Sequence, residues 1–397
     1  MAAEVLFFNE TDEMWEWTSA PVNLLHDNPR LKKKCYLFLQ DEVSFKGDAD
    51  PREGKKDQSD EHRRKVLRWF NVPDFVSNKT CAELNGYFGC RSSAKDPSQG
   101  KFKSLNKKLD SLTTWTRILT KRILESSEKC RYGSGKKYEW FEMAFFTRWT
   151  SHGTNQILCI DTPRELKERL FESLASSGTL EFQDPFAMFR PLLDEILKIS
   201  DQYTWRMSKE IRKHEKSRSK RPSFDELNDL RRHARHIEEV QEVSVETLER
   251  LASRQEDNFR QLELDEDYQS EAIEYLRFQL QIMKSLRRRS QANSERLDGE
   301  MNLAYNVIAN TDSQIMKSIT LLTMIFLPAT FISALFSTTF FEFHEYGWNF
   351  STRFWIYWVV TVPLTLFVLA VWGAWIGGSA GKIRAKILGG SSKNKKA

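Results

Sequence analysis

Charge is missing from two long stretches of this 397-residue chain: Ser318 to Phe341 carries none over 24 positions, and Phe354 to Gly381 none over 28. Each exceeds the roughly 20 apolar residues a helix needs to cross a bilayer core of about 30 Å. A wholly soluble protein is thereby excluded, and an integral membrane protein with most of its mass outside the bilayer is expected. Net charge is missing too, up to Lys317: the 60 Lys and Arg less the seven beyond that point equal the 55 Asp and Glu less the two beyond it. A nucleic-acid-binding footprint needs a basic face, so no nucleic-acid partner is expected. No Gly-rich phosphate loop, nucleophile elbow or paired-His metal motif occurs, which argues against an enzyme and against a bound cofactor. Cysteine is scarce and odd in number, and Cys35, Cys81, Cys90, Cys130 and Cys159 include no CxxC pair. They read as free thiols in a reducing compartment, where the sequon at Asn78 stays idle.

What charge remains beyond Lys317 orients the spans. The tail after Gly381 is wholly basic, with Lys382, Arg384, Lys386, Lys393, Lys395 and Lys396, whereas the link between the spans has Glu342 and Glu345 against Arg353. By the positive-inside rule the tail is cytoplasmic, and two spans put the large N-terminal region on the same side. Met1 to Trp17 carries five acids, which suits neither a secretory signal nor an Arg-rich presequence. The expectation is a multi-pass protein of the plasma membrane, partnered by the lipid bilayer, with both termini cytoplasmic.

Along the chain, residues 1–160 hold short apolar patches such as Cys35 to Leu39, Val66 to Val72, Trp140 to Trp149 and Gln156 to Ile160, which fit strands mixed with helices. Asp41 to Arg64 is almost continuously polar and is expected to be a mobile loop. Trp115 to Leu124 fits a helix or a strand. Thr162, Pro163 and Glu165 form a capping box that opens a helix ending near Ser176. Asp184 with Pro185 is expected to open a second, and Ser223 with Glu226 a third, after the basic linker Lys213 to Arg221.

Proline is absent, and glycine occurs once, at Gly299, between Tyr268 and Lys317. Ile273, Leu276, Leu280 and Met283 recur in steps of three and four, as do Leu297, Met301, Ala304 and Ile308. That is a helical stripe of coiled-coil type. With no breaker before the first span, one helix is expected from about Tyr268 to Phe341, roughly 110 Å long. It needs neighbours, either the preceding helix folded back or copies of itself around an axis. The expected fold class is an α+β cytoplasmic domain followed by a long stalk helix and a two-helix transmembrane hairpin. Its parts are an α/β domain at 1–222, a helical stalk at 223–317, spans at 318–341 and 354–376 around a loop at 342–353, and a basic tail at 377–397.

The first span places small or hydroxylated residues at Thr320, Thr323, Thr330, Ser333, Ala334 and Ser337. Such a face either lets helices approach closely or lines a water-filled path. The run from Met316 and Lys317 through Ile325-Phe326-Leu327-Pro328, Thr330-Phe331-Ile332 and Phe336, then a short acidic link and an aromatic-rich second span, resembles the CorA family of magnesium transporters. The fungal CorA-like branch is the most similar, and the resemblance is specific over about Asn310 to Gly381.

It implies a homopentamer shaped as a funnel, with the first spans around a pore that carries Mg2+ or another divalent cation. Pore-facing positions then fall on Ser313, Met316, Ile319, Thr323, Leu327, Thr330, Ala334 and Ser337. Where the family ends its first span with aromatic-Gly-Met-Asn, this chain has Phe336, Ser337, Thr338 and Thr339, so Ser337 to Thr339 stand at the filter and selectivity is expected to be altered. Glu342 and Glu345 would attract cations at the outer mouth.

Of three further clusters, the first two have two readings each. His233 and His236 have metal-binding spacing, yet Arg231, Arg232 and Arg235 beside them favour an exposed polar face. Glu263, Asp265 and Asp267 form, with Glu266, either a solvated helix start or a regulatory divalent site like the one the family places between subunits. Lys284 with Arg287, Arg288 and Arg289 reads as a solvated stalk face. For the whole chain, a divalent-cation channel stands against a non-conducting membrane-anchored scaffold or sensor of the same architecture.

Overall fold

The computed structural model describes residues 2–21, 33–39, 66–95, 108–125, 127–130, 136–176, 180–216, 224–337 and 355–390. The loop expected over Asp41 to Arg64 lies outside them. Two compact units divide the chain, 1–302 and 303–397.

The first unit is built on one mixed sheet of seven strands: β1 (Ala2–Asn9), β2 (Met14–Pro21), β3 (Lys34–Leu39), β4 (Gly86–Lys95), β5 (Lys108–Ile123), β6 (Tyr138–Thr150) and β7 (Thr154–Ile160). Their order is β2-β1-β3-β7-β6-β5-β4, with β3 and β7 parallel and every other pair antiparallel. The segment Trp115 to Leu124 is thus strand, as its alternating β-branched Thr114, Thr116, Ile118 and Thr120 favour. Val66 to Trp69 is instead a helical turn.

Side chains alternate across the pleat, and both faces are covered. Phe145 joins Tyr36, Phe38, Met143 and Cys159 in one core, while its neighbours Ala144 and Phe146 join Val5, Leu37 and Leu158 in another with Phe70 and Val76. Gly89 on β4 is required by packing: a Cβ there would lie 2.1 Å from the Trp115 indole nitrogen.

The helices are α1 (Lys79–Glu83), α2 (Arg164–Ser176), α3 (Phe189–Lys216), α4 (Phe224–Phe259), α5 (Glu266–Ser337) and α6 (Trp355–Gly390). Helix α2 starts where its capping box predicts. Helix α3 starts at Phe189 and not at Asp184, because the Asp184 carboxylate accepts the Phe186 N–H at 2.8 Å and holds this stretch in consecutive turns. Helix α6 runs past residue 376 to Gly390.

Within the first unit α5 packs on α3 and α4, and Leu197, Val245, Met283 and Leu286 form one cluster between them. The preceding helices therefore supply neighbours for its stripe as far as Met301, whereas Ile308 is exposed. The cationic face is solvent-exposed, as expected, and is ion-paired as well: Lys284 with Glu249 at 2.7 Å, Arg287 with Glu242, and Arg289 with Asp201. Carboxylates on two other helices meet it, which a reading of α5 alone cannot see. A buried polar seam lies alongside, with Ser290 donating to Gln241 at 2.6 Å and Gln241 to Thr204 at 2.8 Å.

The largest fully buried side chain in the sheet is Arg117, 1% exposed, paired with Glu142 at 2.7 Å and donating to the Ala82 carbonyl at 2.7 Å. Losing one partner of a buried pair strands the other charge, which costs about 3–5 kcal/mol. Arg117→Met should therefore lower the denaturation midpoint of the full chain followed by tryptophan fluorescence, and adding Glu142→Leu should recover much of the loss. Equal midpoints for Arg117→Met and wild type would mean that the pair does not hold the sheet.

Candidate functional site

Among the described residues two helices are long and apolar enough to cross a membrane, over Glu266–Ala334 and Trp355–Ala374. They meet where the Tyr357 hydroxyl of α6 donates to the Ala329 carbonyl of α5 at 3.4 Å. Pro328 and Ile332, on the same side of α5, are buried.

At about 100° per residue, Met316, Ile319, Thr323, Leu327, Thr330, Ala334 and Ser337 fall within roughly 80° of one another, about 160° from the Pro328 and Ile332 side. All seven are exposed, Met316 by 64% and Leu327 by 65%. Ser313 is exposed as well but lies about 40° beyond the edge of this row. Asp312 falls inside it, one turn before Met316, and sequence reasoning missed it. The helical period alone could have found it, since Asp312 and Lys317 are the charged residues between Leu303 and Ser337 and Lys317 falls on the opposite side.

The hydroxyls on this row are already committed as donors. Thr323 Oγ1 donates to the Ile319 carbonyl at 2.6 Å, Thr330 Oγ1 to Phe326 at 2.8 Å, and Ser337 Oγ to Ala334 at 3.3 Å. A hydroxyl that donates into its own helix leaves its oxygen lone pairs facing outward as acceptors. The face is thus uncharged from Met316 to Ser337, apolar at Met316, Ile319 and Leu327, and acceptor-bearing at Thr323 and Thr330. Thr338, Thr339, Glu342 and Glu345 lie outside the described residues.

The other candidates resolve into structural roles. His233 and His236 do not lie on an exposed polar face: the His233 ring packs 4.6 Å from Tyr138, and His236 Nδ1 is 2.9 Å from the buried Lys121 Nζ. Burial, then Lys121 and Arg232, pushes His233 down to about 4. Burial and Arg232 likewise bring Lys121 down to about 8, while its ammonium sits over the Tyr138 and Trp140 rings at 4.5 and 4.7 Å. An ammonium beside both imidazoles opposes a metal cation.

In the acidic cluster, Glu263 pairs with Lys108 at 2.5 Å, and Asp265 caps α5 by accepting the Tyr268 N–H at 3.1 Å. Asp267 sits in the first turn of α5, where a carboxylate favours the positive end of the helix dipole. Among the described residues no group of three or more His, Cys, Asp or Glu is placed to hold a metal ion. None of the five cysteines is in a disulfide.

Residues 152–372 match the family described as CorA-like Mg2+ transporter protein. Among curated proteins the chain is similar to the "Notoamide biosynthesis cluster protein M'" of Aspergillus versicolor, 27% identical over 328 residues that cover 72% of this chain and 70% of that one. Two solved structures share the fold. The full-length CmaX protein matches at TM-score 0.55 and 12% identity, over 94% of this chain and 96% of its own. The complete CorA magnesium transporter from Methanocaldococcus jannaschii matches at TM-score 0.56 and 10% identity, over 93% and 96%.

Proposed function

Because the chain belongs to the CorA-like Mg2+ transporter family, which matches more than half of it, we propose that it is a homo-oligomeric channel for divalent cations whose path is lined by the α5 row. The exposed, uncharged face from Met316 to Ser337 carries this reading, because its threonine oxygens are acceptors and its remaining positions are apolar. Mg2+ sheds water reluctantly, so a path for it must hydrogen-bond the hydration shell and not replace it. Water bound to a cation presents hydrogens outward, and the Thr323 and Thr330 oxygens accept them. Met316, Ile319 and Leu327 supply apolar constrictions that can close the path by dewetting.

Asp312 raises cation concentration at the start of the row, and Glu342 and Glu345 do so at the far mouth. Five copies, both termini in the cytoplasm and residence in the plasma membrane complete the proposal. Mg2+ is carried, with weaker discrimination among divalents because Ser337 to Thr339 replace an asparagine-bearing filter. That replacement also favours a second reading, a membrane-anchored scaffold or sensor that no longer conducts.

Purified protein in liposomes loaded with a Mg2+-sensitive dye separates the two. The channel reading expects influx that follows the Mg2+ gradient and membrane potential, from particles that light scattering sizes well above one chain. Assembled particles without influx would put the scaffold in its place.

A further inference from the structure

The first turn of α5 is fastened by a carboxyl group that the transport reading does not use. Asp184, in the turns before α3, is 1% exposed. Its Oδ2 accepts the Tyr268 hydroxyl at 3.0 Å, and its Oδ1 accepts the Phe186 N–H at 2.8 Å. Its backbone carbonyl accepts the Asn155 amide from β7 at 3.3 Å. The adjoining void, lined by Asp184, Arg190, Gln255, Tyr275 and Gln279 among others, measures about 10 Å³, room for one water at most. With 1% of its surface exposed, Asp184 has almost no contact with bulk solvent.

The charged and titratable groups around it offset its charge only in part. On α3, Arg190 is drawn away, 3.7 Å from Glu271 and stacked 4.9 Å over the Tyr275 ring. Glu181, preceding it in the chain, opposes a second negative charge. From α5 come Tyr268, Tyr275 and Glu271. Tyr275 is already engaged with Asp194 at 2.9 Å. On α4 the void is lined by Leu251 and Gln255, which are uncharged, and Tyr36 on β3 is spent on the Met188 carbonyl at 2.7 Å.

We propose that Asp184 and Tyr268 form a proton-controlled latch, which holds the first turn of α5 to the turns before α3 when the carboxyl is protonated and loosens when it ionises. Both hydrogen bonds survive protonation, since Phe186 N–H and the Tyr268 hydroxyl can still donate to the two oxygens. What changes is the cost of a dry negative charge, which vanishes. Burial, only partly offset by those two bonds and Arg190, pushes the Asp184 carboxyl up from 3.8 to about 7.

A group raised in the closed state stabilises it fully at low pH and loses that contribution as pH climbs through the raised value. Acidification from pH 8 to 6 therefore tightens the latch, and because α5 is one continuous helix to Ser337, its anchored end responds to cytoplasmic pH. The inference does not depend on conduction.

Hydrogen exchange of the full chain in nanodiscs, corrected for intrinsic rates, reads the latch directly. Opening of the peptide covering residues 266–279 should be about tenfold rarer at pH 6 than at pH 8. Asp184→Asn keeps the shape and should leave that opening independent of pH. Tyr268→Phe removes a bond that favours the ionised form, and should move the midpoint to higher pH while keeping the slope. A flat wild-type profile, or an unchanged slope in Asp184→Asn, would overturn the latch.

Discussion

Leu327→Lys should abolish divalent-cation flux while leaving the oligomer assembled. Leu327 is 65% exposed on the α5 row, flanked one turn on either side by Thr323 and Thr330. Two unit charges 4 Å apart at an effective dielectric near 20 interact by about 4 kcal/mol, and a divalent ion doubles the charge on one side. At about 1.4 kcal/mol per tenfold, even one ammonium per path lowers ion occupancy by between five and six orders of magnitude, on the order of 8 kcal/mol. Several copies deepen the barrier. Leu327→Met keeps volume and polarity and should conduct near the wild-type rate, which separates charge from packing. Lysine at Leu327 that assembles normally and conducts like wild type would remove this face of α5 from the path.

The parts legible in sequence were those whose cause is local. Two charge-free runs announce the spans because a bilayer core tolerates little else. Thr162 with Glu165 marks the start of α2 because a hydroxyl and a carboxylate three positions apart satisfy two backbone donors reciprocally wherever they occur. The unbroken run from Tyr268 onward becomes α5 for an equally local reason. Sheet order was not legible: β3 pairs in parallel with β7 across more than a hundred residues, and nothing in either strand names its partner. Asp184 misled for a related reason, since its side chain caps a turn and not the helix that follows.

Side-chain environments set by distant elements were equally hidden. A helical wheel places His233 and His236 among arginines and reads them as solvated. Lys121, Tyr138 and Trp140, which bury that face, arrive from β5 and β6. Arg289 looks free along α5 until Asp201 of α3, 88 residues away, meets it. On the candidate row the gap has the opposite character. The period of α5 was sufficient to find Asp312, but the family resemblance drew attention to Ser313, about 40° off the row. Period and resemblance are independent sources, and they agree at the seven positions from Met316 to Ser337.

The second large effect concerns the outer end of that row. Changing Thr339 to Asn together with Ser337 to Gly should raise the preference for Mg2+ over other divalent cations, without altering assembly. The Ser337 hydroxyl donates back to the Ala334 carbonyl at 3.3 Å, so what it offers outward is a short-armed acceptor. An asparagine amide reaches further and carries a carbonyl that can accept a hydrogen bond from a bound water, plus an N–H2 that can hold its neighbours in the ring. Each such bond is worth about 1 kcal/mol net, and several act on one hydration shell, so a preference increase of tenfold or more is expected. Glycine in place of Ser337 gives the backbone the freedom to turn the amide inward. Competitive flux of Mg2+ against a larger divalent ion in the same liposomes measures the change, with light scattering as the check on assembly. If wild type is silent and the double change is silent too, the hydroxyl mouth is not what limits conduction. The α5 row then has no ion path to line, and the membrane-anchored scaffold replaces the channel.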